Sequence, residues 1–258
     1  MKQIIILLLL HAFLGFQSNP TNVVLTKGPL QSVSLTVDSS RLRISNNSSL
    51  KHLPSILRDL TIALSESSFE QQELLNQNGV RIDLRDAACK TFDTSASVTY
   101  WPVDSVFYLK LNRLNRQATD RALAVTLIHE IMHCILLDLD KRGRSGDKQA
   151  LSIIRHFNEI IRTPSPGICN QFFDDMNRGD QGQHELMYQL FFTDMVSLLE
   201  RFAEIHKHAF IENETAKLLM WSGLQSTSGF QSLSTEEKRQ SQISIMQEKG
   251  ISVAFFDN

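Results

Sequence analysis

The stretch that decides the fold of this chain reads Leu123-Ala124-Val125-Thr126-Leu127-Ile128-His129-Glu130-Ile131-Met132-His133-Cys134-Ile135-Leu136. Its mainly apolar composition predicts a buried helix. At 3.6 residues per turn, His129 and His133 lie one turn apart on the same face, where their imidazoles can share one metal ion at about 2.0–2.1 Å each. Glu130 is rotated by about 100° from His129 and would lie beside the ion, where a general base belongs. Two histidines and a carboxylate are costly to bury without compensation, so the stretch predicts a metal site.

A catalytic zinc site needs a third protein ligand and leaves its fourth position to water. His184 is the best candidate, because it opens a helix with a strongly apolar face and would point at a site shared with another helix. That face continues through Met187, Phe191, Met195, Leu198 and Phe202. Two rival ligands stay open: Glu185, which follows His184, and Asp140, which lies on the His133 face but about 10 Å along the helix axis.

The hydrophobic periodicity along the rest of the chain predicts few strands among many helices. Strands are expected at 33–37, 41–44, 80–84, 96–101 and 106–111, and helices at 49–77, 119–139, 147–162, 183–207, 212–222 and 234–248. Thr119 or Asp120 would cap the helix that carries the two histidines. Near the end of the 183–207 helix, His206 and His208 are expected to be exposed to solvent. This pattern predicts an α+β fold in which a small sheet packs beside helices.

The N-terminus carries a secretion signature. Lys2 is followed by thirteen residues, Ile4–Phe16, that are apolar except for His11, and then by the polar run Gln17–Pro20. This pattern predicts a signal peptide over 1–18 and export to the periplasm or the extracellular space. The apolar run would cover about 20 Å as a helix, against a hydrocarbon core of roughly 30 Å, so no stable membrane anchor is expected. Residues 19–258 would form one domain, with 19–50 as a candidate N-terminal extension.

Composition narrows the class of partner. With 26 Lys+Arg, 28 Asp+Glu and a net charge of −2, the chain has no electrostatic reason to bind nucleic acid. The 42% of apolar residues is typical of a globular domain. Cys89, Cys134 and Cys169 contain no CxxC pair, and they allow one disulfide plus a free thiol with the pairing left open.

The chain order resembles that of the zincin metallopeptidases, and most closely the SprT-like group. The resemblance covers about 106–203: the strand Val106–Leu111, the helix containing Ile128-His129-Glu130-Ile131-Met132-His133, and a later helix that begins Gln183-His184-Glu185-Leu186-Met187. It implies a zincin-like fold, in which a small and mostly antiparallel sheet packs against the active-site helix. It also implies that His184 is the third zinc ligand, because that ligand is commonly a histidine on a downstream helix in this group.

Two further implications of the resemblance concern substrate. The strand before the active helix, Val106–Leu111 here, would form the sheet edge that binds a peptide as an added strand. The strand taken by itself slightly favours an interior position in the sheet instead. Tyr188, one turn after His184, could donate to an oxyanion, although a tyrosine packed in the core is the more frequent outcome. The chain lacks the Cys-rich zinc ribbon of some SprT-like proteins, and its expected export differs from the intracellular members, so their DNA-linked roles are not carried over.

These observations predict an exported zinc metallopeptidase that acts on peptides or proteins. His129, His133 and His184 would hold one Zn²⁺, and Glu130 would act as the general base. The alternative is a non-catalytic exported protein of zincin fold that binds peptides or partner proteins, and a third possibility is a hydrolase of non-peptide amides. No sequence feature specifies an oligomeric state.

Overall fold

The computed structural model describes residues 23–27, 33–39, 42–67, 80–87, 96–101, 106–112, 117–161, 171–206 and 210–250, and over these residues the fold is α+β. The expected signal peptide at 1–18 lies outside the described residues and stays a prediction. Cys89 and Cys169 also lie outside the described residues, whereas Cys134 is a buried free thiol.

The strands of the described residues form one six-stranded mixed sheet. They are β1 (Val23–Lys27), β2 (Val33–Ser39), β3 (Leu42–Asn47), β4 (Val80–Ala87), β5 (Ala96–Trp101) and β6 (Val106–Asn112), in the order β1-β2-β3-β4-β6-β5. β1–β2, β2–β3 and β5–β6 are antiparallel, while β3–β4 and β4–β6 are parallel. Because β1, β2 and β3 belong to the same sheet as the later strands, the described part of the 19–50 segment is continuous with the rest of the fold.

The edge of this sheet differs from the expectation. β6 pairs with β4 on one side and with β5 on the other, so the prediction that Val106–Leu111 forms the edge strand is wrong. β6 is an inner strand because the short connection between β5 and β6 lets these two strands pair antiparallel. Their register runs from Ala96 opposite Leu111 to Trp101 opposite Val106. β5 is therefore the edge at this end of the described sheet, and the side chains of Ser97, Thr99 and Trp101 are exposed along it.

Nine α-helical segments lie in the described residues. They are α1 (Leu53–Ser65), α2 (Asp120–Arg144), α3 (Lys148–Ile160), α4 (Gln171–Asn177), α5 (Asp180–Leu186), α6 (Phe192–Ile205), α7 (Asn213–Met220), α8 (Ser228–Ser232) and α9 (Thr235–Glu248), with a π-helical turn at Met187–Phe191 between α5 and α6. Each predicted helix is present within a few residues of its expected limits, apart from the first, which ends at Ser65. The periodicity did not predict α4 or α8, because seven and five residues are too few to show a helical repeat.

The central helix α2 crosses the core. Its N-cap is Thr119, whose hydroxyl accepts the backbone N–H of Ala122 at 3.1 Å, as the sequence predicted. By length and composition α2 would be long and apolar enough to cross a membrane, but 94% of its apolar window is buried inside the protein. Such burial is typical of the core helix of a globular domain. The sheet and the helices α1, α3 and α6 pack around α2.

His206 ends α6 in the core rather than in solvent. The residue is 2% exposed, with Nδ1 2.7 Å from Asp59 Oδ2 on α1 and Nε2 2.8 Å from Asp120 Oδ2 at the start of α2. The expectation that His206 is exposed is therefore wrong, because these two carboxylates draw the ring inward. The contact joins the end of α6 to the middle of α1 and the start of α2. His208 lies outside the described residues.

Candidate metal centre

Three histidine side chains meet between α2 and α5. His133 Nε2 lies 3.2 Å from His129 Nε2 and 3.2 Å from His184 Nε2, and the ligand atoms of all three lie within 4.8 Å of one another. No other group of three or more His, Cys, Asp or Glu residues in the described part of the chain is arranged to hold a metal ion. The structure therefore brings His184 to the two histidines of α2.

The spacing of these nitrogens fits a tetrahedral metal ion. Two nitrogens that are 3.2 Å apart and about 2.05 Å from a shared ion subtend roughly 100° at that ion, close to a tetrahedral angle. Three protein ligands leave one position of a tetrahedral ion open. This arrangement of ligands is typical of catalytic rather than structural sites.

Burial keeps the three imidazoles in the form that binds metal. Burial lowers the pKa of His129 well below its ordinary value, and the neighbouring imidazoles of His133 and His184 lower it further. Burial also lowers the pKa of His133 to about 4, against the opposing effect of its hydrogen bond to Gln183, and it lowers the pKa of His184. The three rings are therefore neutral near pH 7 and do not have to release a proton before they bind a cation.

His133 is oriented by Gln183, a residue whose role the sequence reasoning missed. His133 Nδ1 donates to Gln183 Oε1 at 2.7 Å, and both side chains are buried. With its proton on Nδ1, His133 presents the lone pair of Nε2 to the other two histidines. Hydrogen bonds of this kind from a ligand histidine to an outer partner are a regular part of metal sites. The sequence signal that could have identified Gln183 was its position directly before His184, because a helix that presents one residue to a site also brings the neighbouring residues near that site.

Helix α5 can pack closely against the preceding helix α4 because a close contact between backbones is possible at Gly182. A Cβ atom at Gly182 would lie 1.8 Å from the carbonyl oxygen of Asp175 in α4, so no larger residue fits there. The helix continues after His184 through the π-helical turn and into α6, and the face of Met187, Phe191, Met195, Leu198 and Phe202 is buried as predicted. π-helical turns of this type occur often beside functional sites.

Glu130 follows His129 directly in α2 and is buried, with 6% of its surface exposed. It makes no hydrogen bond or ion pair within the residues that the structure describes. Burial, reinforced by the charge of Asp180, raises its pKa to about 8. A carboxyl group whose pKa lies near the working pH is suited to both accepting and returning a proton. The effect of Asp180 on Glu130 could not be predicted from the sequence. Asp180 is an exposed residue in the first turn of α5, and only the packing of the helices brings its charge near Glu130.

The two rival ligands are engaged elsewhere. Both carboxylate oxygens of Asp140 accept from Arg144 Nε, at 2.8 and 2.9 Å. Glu185 accepts from the backbone N–H of Ser228 at 2.9 Å and from Gln189 Nε2 at 2.8 Å. Neither residue belongs to the cluster of His129, His133 and His184.

Tyr188 packs in an aromatic cluster close to the site. Its ring lies 5.7 Å from that of Trp221 and 6.1 Å from that of Phe192, measured between centroids. The ring is half-buried and packs against the core, close to the outcome that the sequence suggested as the more frequent one.

Comparisons with known protein families, with curated proteins and with solved structures find no match for this chain. The chemistry of the site is therefore inferred from its own geometry.

Proposed function

We propose that this protein is an exported zinc metallopeptidase of the zincin type, most like the SprT-like group. The observation that carries the proposal is the meeting of three neutral histidine nitrogens, from His129, His133 and His184, with the buried Glu130 directly after His129 in the same helix. Imidazole suits several transition metals, and zinc is favoured because three protein ligands and an open fourth position are its usual catalytic arrangement.

When bound, zinc would polarise a substrate carbonyl and make water a better nucleophile near neutral pH. Glu130 would take a proton from the attacking water onto a carboxylate oxygen and return it to the nitrogen of the leaving amine. Gln183 would hold the ring of His133 in place throughout. The burial of Glu130 keeps bulk water from competing for its proton.

The order of elements around the site supports a zincin fold. β6 leads directly into α2, and α5 supplies the third histidine, so the strand, the helix and the later helix follow in the sequence that the resemblance requires. Because β6 is an inner strand, we assign substrate pairing to β5, which forms the edge and packs against α2. Its outer edge can offer backbone N–H and C=O groups to an extended peptide.

The proposal predicts hydrolysis that depends on metal. Purified full-length protein loaded with zinc should cleave an unstructured polypeptide, lose this activity after chelation, and regain it with one equivalent of Zn²⁺ per chain. Product formation by mass spectrometry is the measurement, and Mg²⁺ added in place of Zn²⁺ is the control. Cleavage that persists after complete chelation would contradict the proposal, and tight zinc binding without cleavage of any polypeptide would favour the non-catalytic alternative.

Replacing Gln183 with alanine should weaken zinc binding by about 10–100-fold, the usual effect of losing an outer hydrogen-bond partner. His133 then loses the bond that fixes its proton on Nδ1 and its ring orientation. Competition with a chelator of known affinity measures the change. Gln189→Ala is the matched control, because Gln189 follows in the same run of helix and bonds to Glu185 instead. Equal zinc affinities for the two variants would show that Gln183 does not orient the ligand.

A further inference from the structure

A turn far along the chain closes on one of the three histidines. Residues 221–224 connect the end of α7 to the segment before α8, and Gly223 in this turn has a φ of +87°. A Cβ atom at Gly223 would lie 2.7 Å from His129 Cε1 and 3.1 Å from each ring nitrogen. The backbone of the turn therefore contacts the His129 ring at Cε1, and only a glycine at position 223 leaves room for the ring.

His129 needs such a contact because, within the part of the chain that the structure describes, no outer hydrogen bond at Nδ1 orients its ring. Its Nδ1 is buried and has no hydrogen-bond partner among the described residues, whereas the corresponding atom of His133 donates to Gln183. A ligand histidine without an outer partner keeps its orientation only through packing. Gly223 is the residue whose backbone supplies that packing at the ring edge between the two nitrogens.

The turn is itself held in place. The backbone N–H of Gly223 donates to Gln225 Oε1 at 3.1 Å, and the N–H of Leu224 donates to the carbonyl of Trp221 at 2.9 Å. The Trp221 ring is buried, and its centroid lies 4.1 Å from that of Phe192 on the helical run that carries His184. Contacts to the turn thus connect His129 to the element that provides the third histidine.

We infer that Gly223 is a positioning residue of the metal centre, which sets the orientation of His129 through direct contact of its backbone with the ring. This inference rests on the proposed zinc site. Any side chain at position 223 must displace either the His129 ring or the turn, and an L-residue at this φ is also strained. The 221–224 turn is therefore part of the centre although it provides no ligand.

The test compares two glycine variants of the full chain. Gly223→Ala should weaken zinc binding by about 10–100-fold, as loss of a hydrogen-bonded outer partner does. Gly146→Ala is the matched control, because Gly146 has a φ of +84° and no atom within 4 Å of the added Cβ, so it carries the backbone strain without the contact. Chelator competition gives the affinities, and the visible absorption of bound Co²⁺ reports the ligand geometry, which should change in Gly223→Ala alone.

Two more measurements keep the test decisive. Circular dichroism should show that Gly223→Ala remains folded; if it does not, Gln225→Ala, which adds no atoms near His129, should still weaken zinc binding several-fold by loosening the turn. Equal zinc affinity and equal Co²⁺ spectra for Gly223→Ala and Gly146→Ala would overturn the inference while leaving the zinc site intact. A wild-type protein that binds no zinc would instead contradict the proposed function itself.

Discussion

Replacing His133 with alanine is expected to abolish zinc binding and peptide hydrolysis together. His133 Nε2 lies 3.2 Å from the Nε2 atoms of both other histidines, so it is the shared neighbour of the whole cluster. Loss of a ligand should weaken zinc binding by more than the 10–100-fold that outer partners contribute. Metal content after dialysis and the rate of cleavage of an unstructured polypeptide measure the two effects.

His129→Ala and His184→Ala should behave in the same way, because all three nitrogens would share one ion. His156→Ala is the matched control, since His156 is exposed on α3 and does not belong to the cluster. The His184 variant is the most informative of the set. If it keeps the zinc affinity of the wild type, then a different residue provides the third ligand and the proposed centre is wrong.

Replacing Glu130 with glutamine is expected to lower the rate of hydrolysis by about 10²–10⁴-fold while zinc stays bound. The amide has nearly the same shape as the carboxyl group but cannot accept the proton of the attacking water. Because Glu130 is buried without a described partner and its pKa is raised to about 8, a neutral side chain at this position should not destabilise the fold. Single-turnover rates and zinc affinity, measured on the same preparation, separate the chemical role from binding.

Glu185→Gln is the matched control for this experiment. Glu185, like Glu130, directly follows a ligand histidine in the chain, but it bonds to Ser228 and Gln189 away from the cluster. Its variant should keep both zinc and activity, which would also exclude Glu185 as a ligand. A Glu130→Gln protein that cleaves peptides at the wild-type rate would remove Glu130 from the mechanism.

The parts of the site that the sequence could predict are those fixed by a single helix. The spacing of His129 and His133 follows from the helical repeat alone, and the burial of the apolar residues around them follows from the same periodicity. His184 could be chosen because it begins a second apolar helical face. In each case the information lies within the helical segment that carries the residue.

The parts that escaped prediction depend on contacts between distant segments. The contact of Gly223 with His129 joins positions 94 residues apart, and no local pattern encodes it. The burial of His206 is set by Asp59 and Asp120, which belong to other helices. The order of β5 and β6 in the sheet likewise depends on which strand pairs with β4, whereas the alternation within each strand is the same for an edge or an inner position.

X-ray absorption spectroscopy of the zinc-loaded protein identifies the ligands of the metal ion directly. We expect one zinc ion per chain, with three imidazole nitrogens at about 2.0–2.1 Å and one further light atom from solvent in the fourth position. The His184→Ala variant should retain no stoichiometric zinc after dialysis, so the imidazole multiple-scattering signal should be lost with the metal. A sulfur ligand at about 2.3 Å, or fewer than three imidazoles in the wild-type protein, would contradict a zinc centre built from His129, His133 and His184.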